Sequence, residues 1–348
     1  MRESEFPEGA IGMKICMIGC GSFARLCHGP AQRKLSASHP DVTLAACCDT
    51  EPGSSKEYGE AFGYERHYSN AREMLSEEKP DAVILAVPPL VTSAAASAVL
   101  ELGFPLLLEK PQGMTPSELG RLITAAEKGG AGAQVAFNRH YMPVMRRAQE
   151  FLGESFRAET VRRIDYEMIR FERWDPDFST TAIHALDGAL FLARSPFRTV
   201  EIAYKPQKRG QLEATDVTVS AECFCGTRVL VTIRPVSSAN TESARIDAGS
   251  QSLSLTIPIS PQSDGDGSVE HRRDGAIVSS FSDRGVGAVE RLGVLDETEA
   301  FLDSVRSRGP FSPRLEDCKQ RVALMDAIRS HRPGPIRFDE RSGGHSHP

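Results

Sequence analysis

Between residue 13 and about residue 137, short apolar or β-branched runs alternate with helix-length segments. The runs are KICMIG (14–19), VTLAACC (42–48), AVILAV (82–87), PLLLE (105–109) and AQVAF (133–137), with helical stretches such as SAAASAVLELG and TPSELGRLITAAEKGG between them. They are apolar throughout, as strands covered on both faces should be. The strand–helix rhythm therefore predicts a parallel sheet joined by right-handed crossovers, an α/β domain.

After a helix near Pro143–Leu152 the pattern changes. RAETVRRIDYEMIR, DVTVSAECFC, TRVLVTIRPV, ARIDAGSQSLSLTI and GAIVSSF alternate between apolar and polar, which predicts strands with one covered face and a mostly antiparallel sheet. FSTTAIHALDGALFLA interrupts this region as a helix, and SPRLEDCKQRVALMDAIRSH closes it. The second domain is α+β with a large sheet. The expected division is 13–137 and 138–332, with loose ends at 1–12 and 333–348. PQSDGDGS (261–268) reads as a hairpin loop whose aspartates fall short of a calcium loop. Glu77, Glu78 and Lys79 read as a solvated loop before Asp81, and the tail RSGGHSHP as disordered, its His345 and His347 able to capture stray metal.

Composition narrows the function. At roughly 150 residues per domain, 348 residues suggest two domains. The 47 acidic and 41 basic side chains leave a net charge of −6, without the basic excess of a nucleic-acid binder. The opening MRESEFPEGAIG lacks the basic start and apolar stretch of a signal peptide, and no run approaches the roughly 18 apolar residues that span a bilayer. The expected location is the cytoplasm, with no membrane partner. None of the eight cysteines forms paired CxxC units with histidines, so they read as reduced, mostly buried thiols with no resident metal.

GCGSFA (19–24) fits GxGxxA after the first strand and at the start of a helix. Gly19 permits a tight turn, Gly21 lets the backbone approach a pyrophosphate, Ser22 and Phe23 open the helix, and Ala24 permits close helix–strand packing. Asp49 ends the second strand 25 residues after Ala24, near the distance at which an acidic side chain meets the adenosine ribose hydroxyls. No arginine or lysine follows Asp49 before Lys56, which favours NAD over NADP. Glu109, Lys110 and Pro111 fall at the carboxyl end of a strand, the ligand edge of an open α/β sheet. Spacing alone leaves a solvated charge pair there equally open.

With GCGSFA, the PDAVILAVPP strand and turn, LLLEKP, VAFNRHYMP and AIHALDGALFL in this order, the chain resembles the Gfo/Idh/MocA oxidoreductase family. The resemblance covers nearly the whole chain. It implies a Rossmann domain, a second domain on a large mostly antiparallel sheet, and a catalytic cleft between them. It further implies that Lys110 of the EKP segment serves near the nicotinamide and that His184 supplies a second catalytic group. Val87, Pro88, Glu109 and Asn138 would join the glycine-rich loop in holding NAD; Arg139 and Thr180 would line the substrate. Independently of the resemblance, the indole of Trp174, in FERWDPDFS, reads equally as a face for stacking on a sugar ring and as a packing residue. Departures are visible. The family's helical Asp-x3-His-x2-Asp pattern keeps His184 and Asp187, but Thr180 replaces its first aspartate. Thr92 stands for the usual histidine after the proline turn, and His140 for the second arginine of an NRRF-like segment.

The function implied is hydride exchange between a nicotinamide and a secondary hydroxyl of a sugar or cyclitol. An NAD-dependent glycosidase and a non-catalytic, dinucleotide-binding regulator remain alternatives, the latter motivated by Thr180. The resemblance also implies a homodimer or homotetramer.

Overall fold

The computed structural model describes residues 12–340 except 155, 157–160, 176 and 261–264. In its first part, β1 (Met13–Ile18), α1 (Gly29–Ser38), β2 (Val42–Cys48), α2 (Pro52–Phe62), β3 (Arg66–Tyr68), α3 (Ala71–Glu78), β4 (Ala82–Leu85), α4 (Pro89–Glu101), β5 (Leu106–Glu109), α5 (Pro116–Gly129) and β6 (Ala133–Ala136) alternate. The strands form one parallel sheet in the order β3-β2-β1-β4-β5-β6. Every residue of β4, β5 and β6 is buried, because helices cover both faces; that is why their sequences carry no polar alternation. The strand order reverses between β1 and β4, opening a crevice at the carboxyl edge.

The second part runs α6 (Pro143–Glu154), β7 (Arg163–Phe171), α7 (Ser179–Ala193), β8 (Phe197–Arg209), β9 (Leu212–Cys223), β10 (Arg228–Ser237), β11 (Thr241–Ala248), β12 (Gln251–Thr256), β13 (Ser268–Arg273) and β14 (Ala276–Ser282). It ends with α8 (Ala288–Arg291), α9 (Val294–Ser307), α10 (Lys319–Arg329) and β15 (Ile336–Arg337). Nine strands pair in the order β14-β13-β12-β11-β7-β10-β9-β8-β15, antiparallel except for the β7–β10 pair. Helix α7 lies on the inner face so closely that a Cβ on Gly188 would stand 2.6 Å from the Tyr166 hydroxyl of β7.

Four details differ from the sequence pattern. ARIDAGSQSLSLTI is not one strand: it reverses at Gly249, whose φ of +79° favours glycine, and Asp247 then pairs with Ser252. Residues 336–337, expected in a loose end, add β15 to the sheet edge at Thr199–Val200, where the edge backbone offers hydrogen bonds. Glu77 and Glu78 are not in a solvated loop. They form the last turn of α3, where Glu78 is buried and accepts from the Tyr68 hydroxyl at 2.6 Å. Helix α9 was not anticipated, and it packs against α1, while α10 packs against α5 and α7. Leu315, Cys318, Val322 and Met325 share a core with Leu106, Leu108 and Val135, so the chain returns to the first sheet after building the second.

The tail histidines His345 and His347 lie outside the described residues, as do residues 1–11. Seven of the eight cysteines are buried and all are free; Cys225, in the turn after β9, is exposed. Among the described residues no helix is long and apolar enough to cross a membrane.

Candidate active site

The glycine-rich loop joins β1 to the helical segment that leads into α1. A Cβ on Gly19, at φ +94°, would stand 2.0 Å from the Ala86 carbonyl oxygen, so this position accepts nothing larger. Gly19 thereby lets the loop pass against the turn after β4, beside the exposed Pro88 and the partly buried Val87. A Cβ on Gly21 would meet nothing within 4 Å. Its outer side is open, with Ser22 and Phe23 exposed beside it and Ala24 buried below. The first bond of the helix runs from the Arg25 N–H to the Gly21 carbonyl at 2.9 Å, so the N–H groups just before it face the open side without helical partners. Such a helix start attracts phosphate.

Asp49 stands beside this loop: its Oδ2 accepts from the Cys20 N–H at 2.7 Å and its Oδ1 from the Glu51 N–H at 3.0 Å. These bonds hold a carboxylate at the end of β2, where the ribose of a dinucleotide would lie. Spacing along the chain did not show Arg25. Its guanidinium donates to the Cys20 carbonyl at 3.0 Å and the Ser54 carbonyl at 2.9 Å, and it pairs with Glu57 at 3.2 Å. A cation thus lies near the loop, contributed by the first helix, with its Nε and Nη2 engaged. The cradle, the helix start and Asp49 together fit NAD.

Glu109 ends β5 and turns back beneath the loop. Its Oε1 meets Nε2 of the fully buried His28 at 2.8 Å, and its Oε2 accepts from the Lys110 N–H at 3.2 Å. His28 was missed in the sequence, although it stands four residues after Ala24 on the helix's buried side. The Lys110 side chain points the other way, towards the second domain. Its Nζ donates to the Thr180 carbonyl oxygen at 3.3 Å, at the start of α7. His184 follows one turn later on the same helix, with Nδ1 buried and without a hydrogen-bond partner among the described residues. The structure thus brings Lys110, Thr180 and His184 together across the domains.

Burial depresses the Lys110 pKa; Glu109 opposes this, while the charges of Arg139 and Arg173 add to it. Burial likewise holds His184 well below the usual histidine value, reinforced by Arg139, Lys110 and Arg170. Both groups are therefore biased towards their neutral forms.

Arg139 follows β6 in a short 3₁₀ turn, Asn138–Tyr141, and is buried. Its Nε and Nη2 donate to Glu242 at 2.6 and 2.8 Å, leaving Nη1 without a protein partner among the described residues. Glu242, on β11, also accepts from the Tyr166 hydroxyl at 2.5 Å and from Arg170, both on β7. Glu242, Tyr166 and Arg170 were not singled out in the sequence. They occupy inward positions of alternating strands, and a charged residue at such a position is the signal that marks them.

Two expected site residues, Asn138 and Trp174, and two residues of the family pattern, Asp187 and Thr92, make bonds of their own. The Asn138 side-chain amide donates to the Leu292 carbonyl at 2.8 Å, tying its turn to the α8–α9 junction. Trp174 is partly buried, with Arg209 over its ring at 4.7 Å and its Nε1 donating to Glu172 at 3.0 Å. Asp187 is fully buried and accepts at Oδ1 from Arg321 at 2.6 Å, with the His140 ring at 3.0 Å. Thr92 donates to the Pro88 carbonyl at 3.1 Å.

A parallel sheet with a glycine-rich loop at its reversal point, joined to a large mixed sheet whose helix meets that edge, defines a dinucleotide-binding fold followed by a second, mostly antiparallel sheet. Residues 13–137 match the model of the GFO_IDH_MocA family, described as an oxidoreductase family with an NAD-binding Rossmann fold. Over these residues the chain is similar to the Gfo/Idh/MocA oxidoreductase family. It is 29% identical to a D-apiose dehydrogenase of Paraburkholderia graminis over 188 residues, 54% of this chain and 46% of the relative. It is 24% identical to inositol 2-dehydrogenase 1 of Saccharopolyspora erythraea over 177 residues, 49% of this chain and 52% of the relative. The chain thus spans about half the length of these curated relatives. A Gfo/Idh/MocA family oxidoreductase from Vibrio cholerae has the same fold, with a TM-score of 0.75 at 20% identity over 92% of this chain and 97% of that one.

Proposed function

We propose that the protein is an NAD-dependent dehydrogenase acting on a secondary hydroxyl of a sugar or cyclitol, with Lys110 and His184 as its catalytic pair. The observation that carries this reading is the bond from Lys110 Nζ to the Thr180 carbonyl, one helical turn from His184. It puts two neutral-leaning proton carriers at the carboxyl edge of the NAD-binding sheet. The D-apiose and inositol dehydrogenases among its relatives support the substrate class.

NAD, when bound, supplies the hydride acceptor or donor. The protein's part is to place the carbinol and to handle its proton. In oxidation, neutral Lys110 accepts the hydroxyl proton as the hydride leaves the carbon; in reduction, the protonated amine returns it. General acid–base help of this kind contributes about 10²–10⁴-fold. The Thr180 carbonyl aims the amine, and His184 hydrogen-bonds the same or the neighbouring hydroxyl.

The test is a panel of pyranoses, inositols and sugar acids with NAD, followed by Lys110→Ala. Turnover should fall about 10²-fold or more while NADH affinity stays within about twofold, since the loop and Asp49 are untouched. Lys110→Arg should not restore it, because arginine stays protonated. Retained turnover in Lys110→Ala removes the assignment.

A further inference from the structure

We infer that the substrate of this site is a polyhydroxylated carboxylate, a sugar acid whose anionic group is received by Arg139, rather than a neutral sugar or cyclitol. The inference rests on the dehydrogenase reading above and narrows it.

The argument is one of charge and position. Lys110, Thr180 and His184 stand at one end of a face of α7 that continues, one turn beyond His184, to Gly188. There the missing Cβ makes room for Tyr166, whose hydroxyl donates to Glu242 at 2.5 Å. The same face thus runs from the proton carriers to the Arg139–Glu242–Arg170 cluster. In that cluster two buried guanidinium groups share one carboxylate. A buried excess of one positive charge is costly unless something pairs with it.

Among the described residues, other carboxylates near the cleft are bonded elsewhere. Glu109 is turned to His28 and to the Lys110 N–H, and Asp175 pairs with Arg173 on the loop before α7. Asp187 is held by Arg321 and His140. Thr180 stands where the family pattern would place an aspartate, so Glu109, already bonded to His28, is the carboxylate that acts on Lys110. His184, neutral, offers no compensation. Oxidised nicotinamide would add a further positive charge.

Arg139 can receive an anion. It follows the carboxyl end of β6, on the ligand edge of the sheet, and its Nη1 takes no protein partner among the described residues while Glu242 fixes the rest of the fork. Its charge disfavours the protonated forms of both Lys110 and His184. A carboxylate on Nη1, with a hydroxyl on the neighbouring carbons presented to Lys110 and His184, uses all three groups at once.

The experiment compares matched pairs on the full chain: glucose with gluconate and glucuronate, galactose with galacturonate, and glucose 6-phosphate as the phosphate arm. Binding is read from quenching of enzyme-bound NADH fluorescence, which needs no turnover, and kcat/KM with NAD is read alongside. At least one acid should bind about tenfold or more tighter than its neutral partner, and Thr180→Asp should remove most of that preference by returning a negative charge beside Lys110. Thr180→Asn, similar in size and uncharged, should keep the preference, which separates charge from shape. An aspartate near a helix N-terminus is favourable to the helix, so folding is not compromised. Equal or tighter binding of the neutral partners overturns the inference while their oxidation leaves the dehydrogenase reading intact. Preference for the phosphate ester over the acids overturns the carboxylate assignment. Tight acid binding with no turnover of any alcohol overturns the dehydrogenase reading instead and leaves the ligand class standing.

Discussion

Replacing Glu242 with glutamine tests whether the buried charge cluster under the cleft is organised by this one carboxylate. Glu242 accepts from Arg139 at 2.6 and 2.8 Å, from Tyr166 at 2.5 Å, and from Arg170. Burial would raise its pKa, but Arg139 and Arg170 overcome this and hold it at about 2, against an ordinary 4.5. At about 1.4 kcal/mol per pH unit, that displacement corresponds to about 3 kcal/mol of stability. Removing one partner of a buried ion pair costs a similar 3–5 kcal/mol, roughly, because the remaining charges stay buried. A carboxyl with a lowered pKa in the fold stabilises fully above its unfolded value and loses that contribution as pH falls through the folded value. The contribution should therefore be intact at pH 7 and decline between about pH 4.5 and 2. Glu242→Gln should lower unfolding stability by about 3 kcal/mol at pH 7, measured by urea titration. In a chain of this size the corresponding fall in Tm is roughly 4 °C. The difference from wild type should narrow by about 0.8 kcal/mol at pH 4, since only the wild type has a carboxylate there to protonate. A variant within about 0.5 kcal/mol of wild type at pH 7 would refute the reasoning.

The two loop glycines should separate folding from binding. Gly19→Ala puts a Cβ 2.0 Å from the Ala86 carbonyl at φ +94° and should lower Tm by several degrees, whereas Gly21→Ala meets no atom within 4 Å. The latter should keep Tm but weaken NADH binding about tenfold or more, as read by fluorescence titration; unchanged affinity would remove Gly21 from the pyrophosphate site. NADH should bind tighter than NADPH, because a 2′-phosphate about 4 Å from Asp49 costs on the order of 1–4 kcal/mol and the Arg25 guanidinium is already tied to Cys20, Ser54 and Glu57. Equal or tighter NADPH binding would contradict it. Alcohol oxidation needs neutral Lys110, whose pKa is depressed from 10.5, so kcat should rise with pH through a midpoint below 10.5 and fall in the reducing direction. A midpoint at or above the ordinary lysine value would sink the proton-carrier role.

The covered parallel sheet was readable from residues alone, since burial on both faces forces uninterrupted apolar runs, and the runs at 42–48 and 133–137 fall on β2 and β6 almost residue for residue. The mostly antiparallel sheet was readable too, because one covered face imposes alternation. So was the glycine-rich loop: a turn at positive φ where a Cβ would stand 2.0 Å from a carbonyl oxygen admits only glycine. What local pattern does not carry is partnership. His28 meets Glu109 from 81 residues away and Arg139 meets Glu242 from 103, and in neither case does the chain between them encode the approach. Helix α9 lacked a clear signature, yet it brings the buried, unpartnered carboxyl of Glu297 to a place where burial, with Glu109 and Asp187, holds its pKa well above the usual range. The turn within ARIDAGSQSLSLTI was hidden because both arms alternate with the same period and only Gly249 marks the reversal. Sequence periodicity thus determined which residues face inward. Tertiary structure decided which inward charges meet, because that depends on sheet order and on helices packed from distant segments.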